Sequence, residues 1–102
     1  VVIPVDIFGS PCDYDAIKKI AHDNGMKVLA DSCQSFGSEY KGTKTGNVAD
    51  MTAVSFYPTK PLGCYGDGGR AFSQNKATAA AVPYPPTATK KTKWSNPAAF
   101  TV

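Results

Sequence analysis

Asp31, Gln34, Ser55 and Lys60 are the residues of this chain whose types and spacing suit chemistry. Lys60 stands between Pro58 and Pro61 in the run SFYPTKPLGCYGDGG, residues 55–69. Each proline restricts its own φ and the residue before it, so the amine is carried on a stiff stretch of backbone. A solvated surface lysine does not need such surroundings. Yet a lysine on a loop is normally just that, solvated and without a role. Each residue also has a plain structural reading. Asp31 reads equally as a turn former or helix cap. Ser55 reads as an inward hydroxyl bonded to the backbone. Gly66, Gly68 and Gly69 read as a tight turn, since a lone GDGG is weak as a phosphate signal.

Alternating strands and helices must position these groups. VVIPVDIF, residues 1–8, is β-branched and apolar and predicts a strand. Gly9, Ser10 and Pro11 break it. Asp13 is placed to cap a helix over 14–24, where Tyr14, Ile17, Ile20 and Ala21 recur at helical spacing, and Asn24-Gly25 ends it. MKVLAD, 26–31, predicts a short buried strand. SCQSFGSEYKGTKTGN, 32–47, reads as a Gly-rich loop with room for one helical turn. MTAVSFY, 51–57, predicts a strand, and GGRAFSQ, 68–74, another, with an antiparallel placement open. Strand, helix, strand is a βαβ unit, so the class is α/β with a mostly parallel sheet. Ligands of open α/β sheets lie beyond the carboxyl ends of the strands. Asp31 ends one strand and Lys60 follows another, so the candidate residues gather at one edge of the sheet.

The chain has 102 residues, room for one small domain, and it opens VVIPVD without a methionine. It reads as part of something longer. No apolar run reaches membrane-spanning length, and no membrane partner is expected. Cys12, Cys33 and Cys64 are odd in number and form no CxxC pair, which leaves room for one disulfide but reads first as three reduced thiols in a cytoplasmic protein. His22, the only histidine, lies alone in the helical segment, and no metal site is expected. The net charge of +3 is uneven. Residues 1–75 carry seven Lys/Arg and eight Asp/Glu, whereas residues 76–102 carry four Lys and no acid. The second segment also lacks Gly, Leu and Ile and has no clear period, which predicts a disordered or non-native basic tail. Four lysines are a weak footprint for nucleic acid, and none is expected as a partner.

In unbroken order, VVIPVDIFGSPCDYDAIKKIA, ADSCQSFGSEYKG and SFYPTKPLGCYGDGG resemble the DegT/DnrJ/EryC1/StrS family of sugar aminotransferases. The resemblance covers about residues 1–75. It rests on a Ser five residues before a Lys, a following Gly-Asp-Gly-Gly turn, and an upstream Asp-x-x-Gln. It implies a partial large domain of the type I pyridoxal 5'-phosphate (PLP) fold. It also implies transamination of a nucleotide-linked keto sugar, with an amino acid, commonly glutamate, as donor. KPLGCYGDGG is most similar to the branch that aminates UDP-linked 3-oxo-hexuronates for cell-surface polysaccharides. Carried over by position, Lys60 matches the lysine that forms the Schiff base with PLP and moves protons. Asp31 matches the partner of the ring nitrogen, Gln34 the group near the ring's 3-hydroxyl, and Ser55 a phosphate ligand. A full-length parent is expected to be a homodimer.

The chain also departs from the family. Most of a subunit is missing, Ala30 stands where many relatives have Glu, Arg70 replaces a small residue, and nothing after Asn75 resembles the family. The parent therefore reads as an aminotransferase and this chain alone as inactive. A non-catalytic remnant and a small interaction module using the basic tail are the alternatives.

Overall fold

The computed structural model describes residues 1–75 and the strand Ala99–Thr101. The elements are a 3-10 turn at Ile7–Gly9, helix α1 (Tyr14–Asp23), and strands β1 (Leu29–Asp31), β2 (Glu39–Tyr40) and β3 (Thr43–Lys44). A 3-10 turn at Thr45–Asn47 follows, then β4 (Met51–Ser55), β5 (Gly69–Ser73) and β6 (Ala99–Thr101).

The first residues run parallel to β1, with bridges Val2–Val28 and Val5–Asp31. Pro4 has no N–H to give, but its carbonyl accepts from Asp31 N at 2.8 Å, and Asp6 N donates to Asp31 O at 3.0 Å. The strand expected over residues 1–8 stops at Asp6. Ile7–Gly9 turn away, with Phe8 at φ 55° and fully solvated. The Asp6 side chain is wholly buried and held from four sides, which anchors the chain where it leaves the sheet.

Helix α1 forms where its spacing and caps predict. Asp13 Oδ1 accepts from Ala16 N at 3.2 Å. At the other end Gly25 takes φ 67°, Gly25 N donates to His22 O, and Met26 N donates to Ala21 O. That bond pattern is a Schellman cap, and glycine adopts its left-handed residue at little cost. Tyr14 and Ala21 are buried on one face of the helix. They meet Val28, Ala30, Val48 and Ala49 in the core, with Val2, Ile17, Met26 and Tyr40 packed around it. His22 is exposed on the helix, and its Nε2 lies 2.9 Å from Asp50 Oδ2, which ties the helix to the start of β4.

The segment 32–47 carries more order than a loop. β2 and β3 form a hairpin closed by Lys41 (φ 49°) and Gly42 (φ 79°), the two left-handed residues of a tight turn. Tyr40 secures the hairpin to α1, donating to Asp13 Oδ1 at 2.9 Å and meeting the Tyr14 ring edge-on at 5.7 Å.

The main sheet has the order β1-β4-β5-β6. β1 and β4 are parallel, but β5 is antiparallel to β4 and β6 to β5. Among the described residues the sheet is therefore mixed, which corrects the mostly parallel expectation. The cause is the connection over 56–68. It folds back on the end of β4, with Phe56 N donating to Gly68 O at 2.7 Å and Cys64 N to Phe56 O at 2.8 Å. A chain that turns back without a crossover helix can only return antiparallel. The expectation for residues 76–102 lies outside the described residues, apart from the backbone of β6.

Candidate functional site

Register places the site. Asp31 pairs with Ala53 and Ala53 with Ala71, so the three lie in one row across β1, β4 and β5. Ser55 pairs with Gly69 two residues further on, on the same face. Helix α1 packs on the opposite face, over Val28 and Ala30. Asp31 and Ser55 thus flank a stretch of this face that carries Ala53, Ala71 and Gly69, with Leu29 and Met51 on the same face one step earlier along the strands.

Lys60 lies in the turn that follows β4, half-buried, with its N–H donating to Tyr57 O at 2.8 Å. Gly63 makes the turn possible, since a Cβ there would run into the Pro58 carbonyl. Ser55 Oγ accepts from Tyr57 N at 3.2 Å, which leaves its O–H free to donate to a ligand. Phe36 and Phe56 meet edge-on with centroids 6.0 Å apart, joining the segments that follow β1 and β4.

Cys33 reports how these groups converge. Its N–H donates to Asp31 Oδ1 at 3.1 Å, and its Sγ faces the Ala53 carbonyl. Burial and then the Asp31 carboxylate push the thiol up to about 11, while the Lys60 ammonium pulls it the other way. The thiol therefore lies within the fields of both Asp31 and Lys60. The sequence reading did not single out Cys33; its position two residues after Asp31, at the end of a strand, was the available signal. Gln34 stands exposed on the same turn, with its backbone carbonyl where a Cβ on residue 9 would meet it at 3.3 Å. Asp31 and Ser55 end neighbouring parallel strands at one edge of the sheet, Lys60 lies in the turn that follows Ser55, and Gln34 lies on the turn that follows Asp31. Arg70 lies with its guanidinium 5.6 Å from the Phe72 ring, and its buried Nε has no partner among the described residues.

Beneath the site is a buried carboxylate that the sequence reading missed. Asp6 Oδ1 accepts from Tyr14 OH at 2.7 Å and Cys12 N at 3.1 Å, and Oδ2 accepts from Ser32 Oγ and Ser35 Oγ at 2.8 Å each. Burial pushes this carboxyl up, but the donors together outweigh it and hold Asp6 below the ordinary carboxylate value. Burial and the bond to Asp6 raise the Tyr14 hydroxyl in turn. Among the described residues no group of three His, Cys, Asp or Glu could hold a metal, and no helix is long and apolar enough to cross a membrane.

The chain belongs to the DegT/DnrJ/EryC1/StrS aminotransferase family, whose sequence pattern matches residues 1–85. The match runs past Asn75, where the sequence reading had ended the resemblance. Over 81 residues the chain is 46% identical to a UDP-2-acetamido-2-deoxy-3-oxo-D-glucuronate aminotransferase from Pseudomonas aeruginosa, covering 79% of this chain and 23% of that protein. A DegT DnrJ EryC1 StrS aminotransferase from Brucella abortus superposes with a TM-score of 0.70 at 44% identity, over 72% of this chain and 20% of that one. A chain described as a sugar aminotransferase from Streptococcus pneumoniae, solved in a PLP form, superposes with a TM-score of 0.63 at 28% identity, over 68% of this chain and 21% of that one. The chain thus spans about a fifth to a quarter of the length of these relatives.

Proposed function

We propose that this chain is the cofactor-anchoring part of the large domain of a type I PLP-dependent aminotransferase. Its parent would aminate a nucleotide-linked keto sugar in the cytoplasm, for cell-surface polysaccharide or amino-sugar synthesis, and would work as a homodimer. The amino group comes from an amino acid, with glutamate the expected donor. The observation that carries this reading is the gathering of Asp31, Ser55 and Lys60 around Cys33 at the carboxyl ends of β1 and β4.

The residues present fit PLP. The stretch of Ala53, Gly69 and Ala71 leaves room for a flat ring, with an acid on one side and a hydroxyl donor on the other. PLP, when bound, supplies an electron sink for a carbanion. Asp31 would hold the proton on the ring nitrogen, where a fixed carboxylate favours the protonated form. Ser55 would donate its hydroxyl proton to the phosphate, its lone pair being already engaged by Tyr57 N. Gln34 would turn its amide toward the ring's 3-hydroxyl, which its exposure allows. Lys60 would anchor the cofactor through Nζ and, when released, carry a proton to and from the substrate carbon as general base and acid. The prolines on either side limit how far that amine wanders, so less entropy is lost when it is placed.

Alone, the chain is expected to lack transaminase activity, because a substrate site built by a second domain and a second subunit is not formed from these residues. The test is covalent. The chain is incubated with PLP, reduced with borohydride, digested and mapped. Label on the peptide carrying Lys60 is expected. Label on Lys18, Lys27 or another lysine instead would remove the assignment.

A further inference from the structure

The turn that carries Asp31, Cys33 and Gln34 is held from below at two points by one atom. Ser32 and Ser35 bracket Cys33 and Gln34 in sequence, both are buried, and both hydroxyls donate to Asp6 Oδ2 at 2.8 Å. Residue 6 also grips this region through its backbone, since Asp6 N donates to Asp31 O at 3.0 Å. The other carboxylate oxygen faces away from the turn, toward Tyr14 OH and Cys12 N. No Lys, Arg or His supplies any of the four bonds, so the buried charge is met by dipoles alone. A buried carboxylate is costly unless its donors stay in place, so each donor is strongly restrained. The turn is not pinned in this way from the solvent side, where Gln34 is exposed.

We propose that Asp6 is a positioning residue, whose Oδ2 clamps Ser32 and Ser35 and thereby sets where Asp31 and Cys33 stand relative to Lys60. The inference that this matters for a cofactor rests on the function proposed above; the clamp itself does not. Depression of the Asp6 carboxyl by its donors keeps it ionised, which the clamp requires. Asp6 touches neither a substrate nor a cofactor in this role. It acts through the turn.

The test separates the two oxygens and uses Cys33 as a reporter. Ser35→Ala and Ser32→Ala each remove one donor from Oδ2. Tyr14→Phe removes a donor from Oδ1 and leaves both serine bonds to Oδ2 in place, although its hydroxyl also meets Ser32. The cofactor-free 102-residue chain of each variant is treated with iodoacetamide at mildly alkaline pH, and the rate at Cys33 is followed by peptide mapping, apart from Cys12 and Cys64. With the clamp loosened, Cys33 is expected to react about five-fold faster or more, the scale of one lost hydrogen bond, while Tyr14→Phe stays within about two-fold. Rates unchanged in both serine variants, or raised equally in Tyr14→Phe, would overturn the clamp. Asp6→Asn keeps the shape and is expected to behave like the serine variants. If it unfolds, the serine variants still decide. A second arm measures PLP uptake by absorbance. Faster Cys33 alkylation with weaker PLP uptake supports the whole proposal. Faster alkylation with no uptake even by the unmodified chain removes the cofactor reading and leaves the clamp standing. Faster alkylation with unchanged uptake removes the link from Asp6 to the cofactor.

Discussion

Replacing Tyr14 by Phe deletes one hydroxyl and leaves the ring in place, so the change in stability reads what that hydroxyl contributes, chiefly through its bond to Asp6. That bond runs 2.7 Å to Asp6 Oδ1, between two side chains that are 1% and 0% exposed. A hydrogen bond to a charged group is worth about 1.5–3 kcal/mol, and burial keeps bulk solvent away from this one. A core this small supplies no more than about 3–5 kcal/mol in all, so the loss consumes roughly half of it. For a domain of this size a loss of about 2 kcal/mol lowers the melting temperature by roughly 8–16 °C. The effect also has a pH signature. Asp6 lies below its ordinary value of 3.8 in the folded chain. Its contribution is therefore full above that value and is lost as pH falls through the lower, folded value. With one donor gone, the folded value moves back up toward 3.8, so the contribution shrinks and its loss is complete at higher pH. Urea unfolding should show a lower midpoint at unchanged slope near neutrality, and acid unfolding should begin at higher pH than in the parent chain. An unchanged urea midpoint would refute the reasoning, because it would mean that the other three donors already satisfy the carboxylate.

Asp31→Asn, made in a polypeptide carrying this chain with the rest of an aminotransferase subunit, is expected to keep the fold and lose at least about ten-fold in transamination rate, as a transition-state loss of 1.4 kcal/mol or more requires; stopped-flow assay of the first half-reaction checks it, and wild-type turnover would leave Asp31 as a turn residue. Gly63→Ala forces a Cβ into the Pro58 carbonyl, so the loop over 56–68 must shift. A cost of about 1–3 kcal/mol is expected in urea unfolding, with lower borohydride labelling of Lys60. His22→Ala removes the 2.9 Å contact to Asp50, and because His22 is partly solvated the expected loss is under about 1 kcal/mol by the same measurement.

Helix α1 was legible because every signal for it is local. Asp13 sits one residue before the apolar spacing starts, and Asn24-Gly25 sits where it stops. The positions of Asp31, Ser55 and Lys60 at one sheet edge were legible for a related reason: strand ends can be read from short runs, and ligands of α/β sheets collect at one end of the strands. What escaped depends on partners distant in sequence. Asp6 reads as one more residue of an apolar strand, and nothing near it announces donors at positions 12, 14, 32 and 35. Those donors account both for its burial and for the end of the strand there. The β2–β3 hairpin escaped because Lys41-Gly42 is not the usual Asn-Gly or Asp-Gly signal, although Lys41 adopts φ 49°. The direction of β5 was left open because it is decided by how the loop over 56–68 folds back, which the spacing of its glycines does not express.

The parallel pairing of β1 with β4 joins Leu29 to Met51, Ala30 to Thr52 and Asp31 to Ala53, and the candidate residues all lie between positions 31 and 60. The loop that must close to bring them together is short, and closure entropy grows only slowly with such lengths. During vectorial synthesis this half of the site is complete in sequence once residue 60 has cleared the ribosome. An anchor with so low a contact order can be preorganised before any more distant element arrives to meet it. The same contiguity makes the stretch a natural cassette.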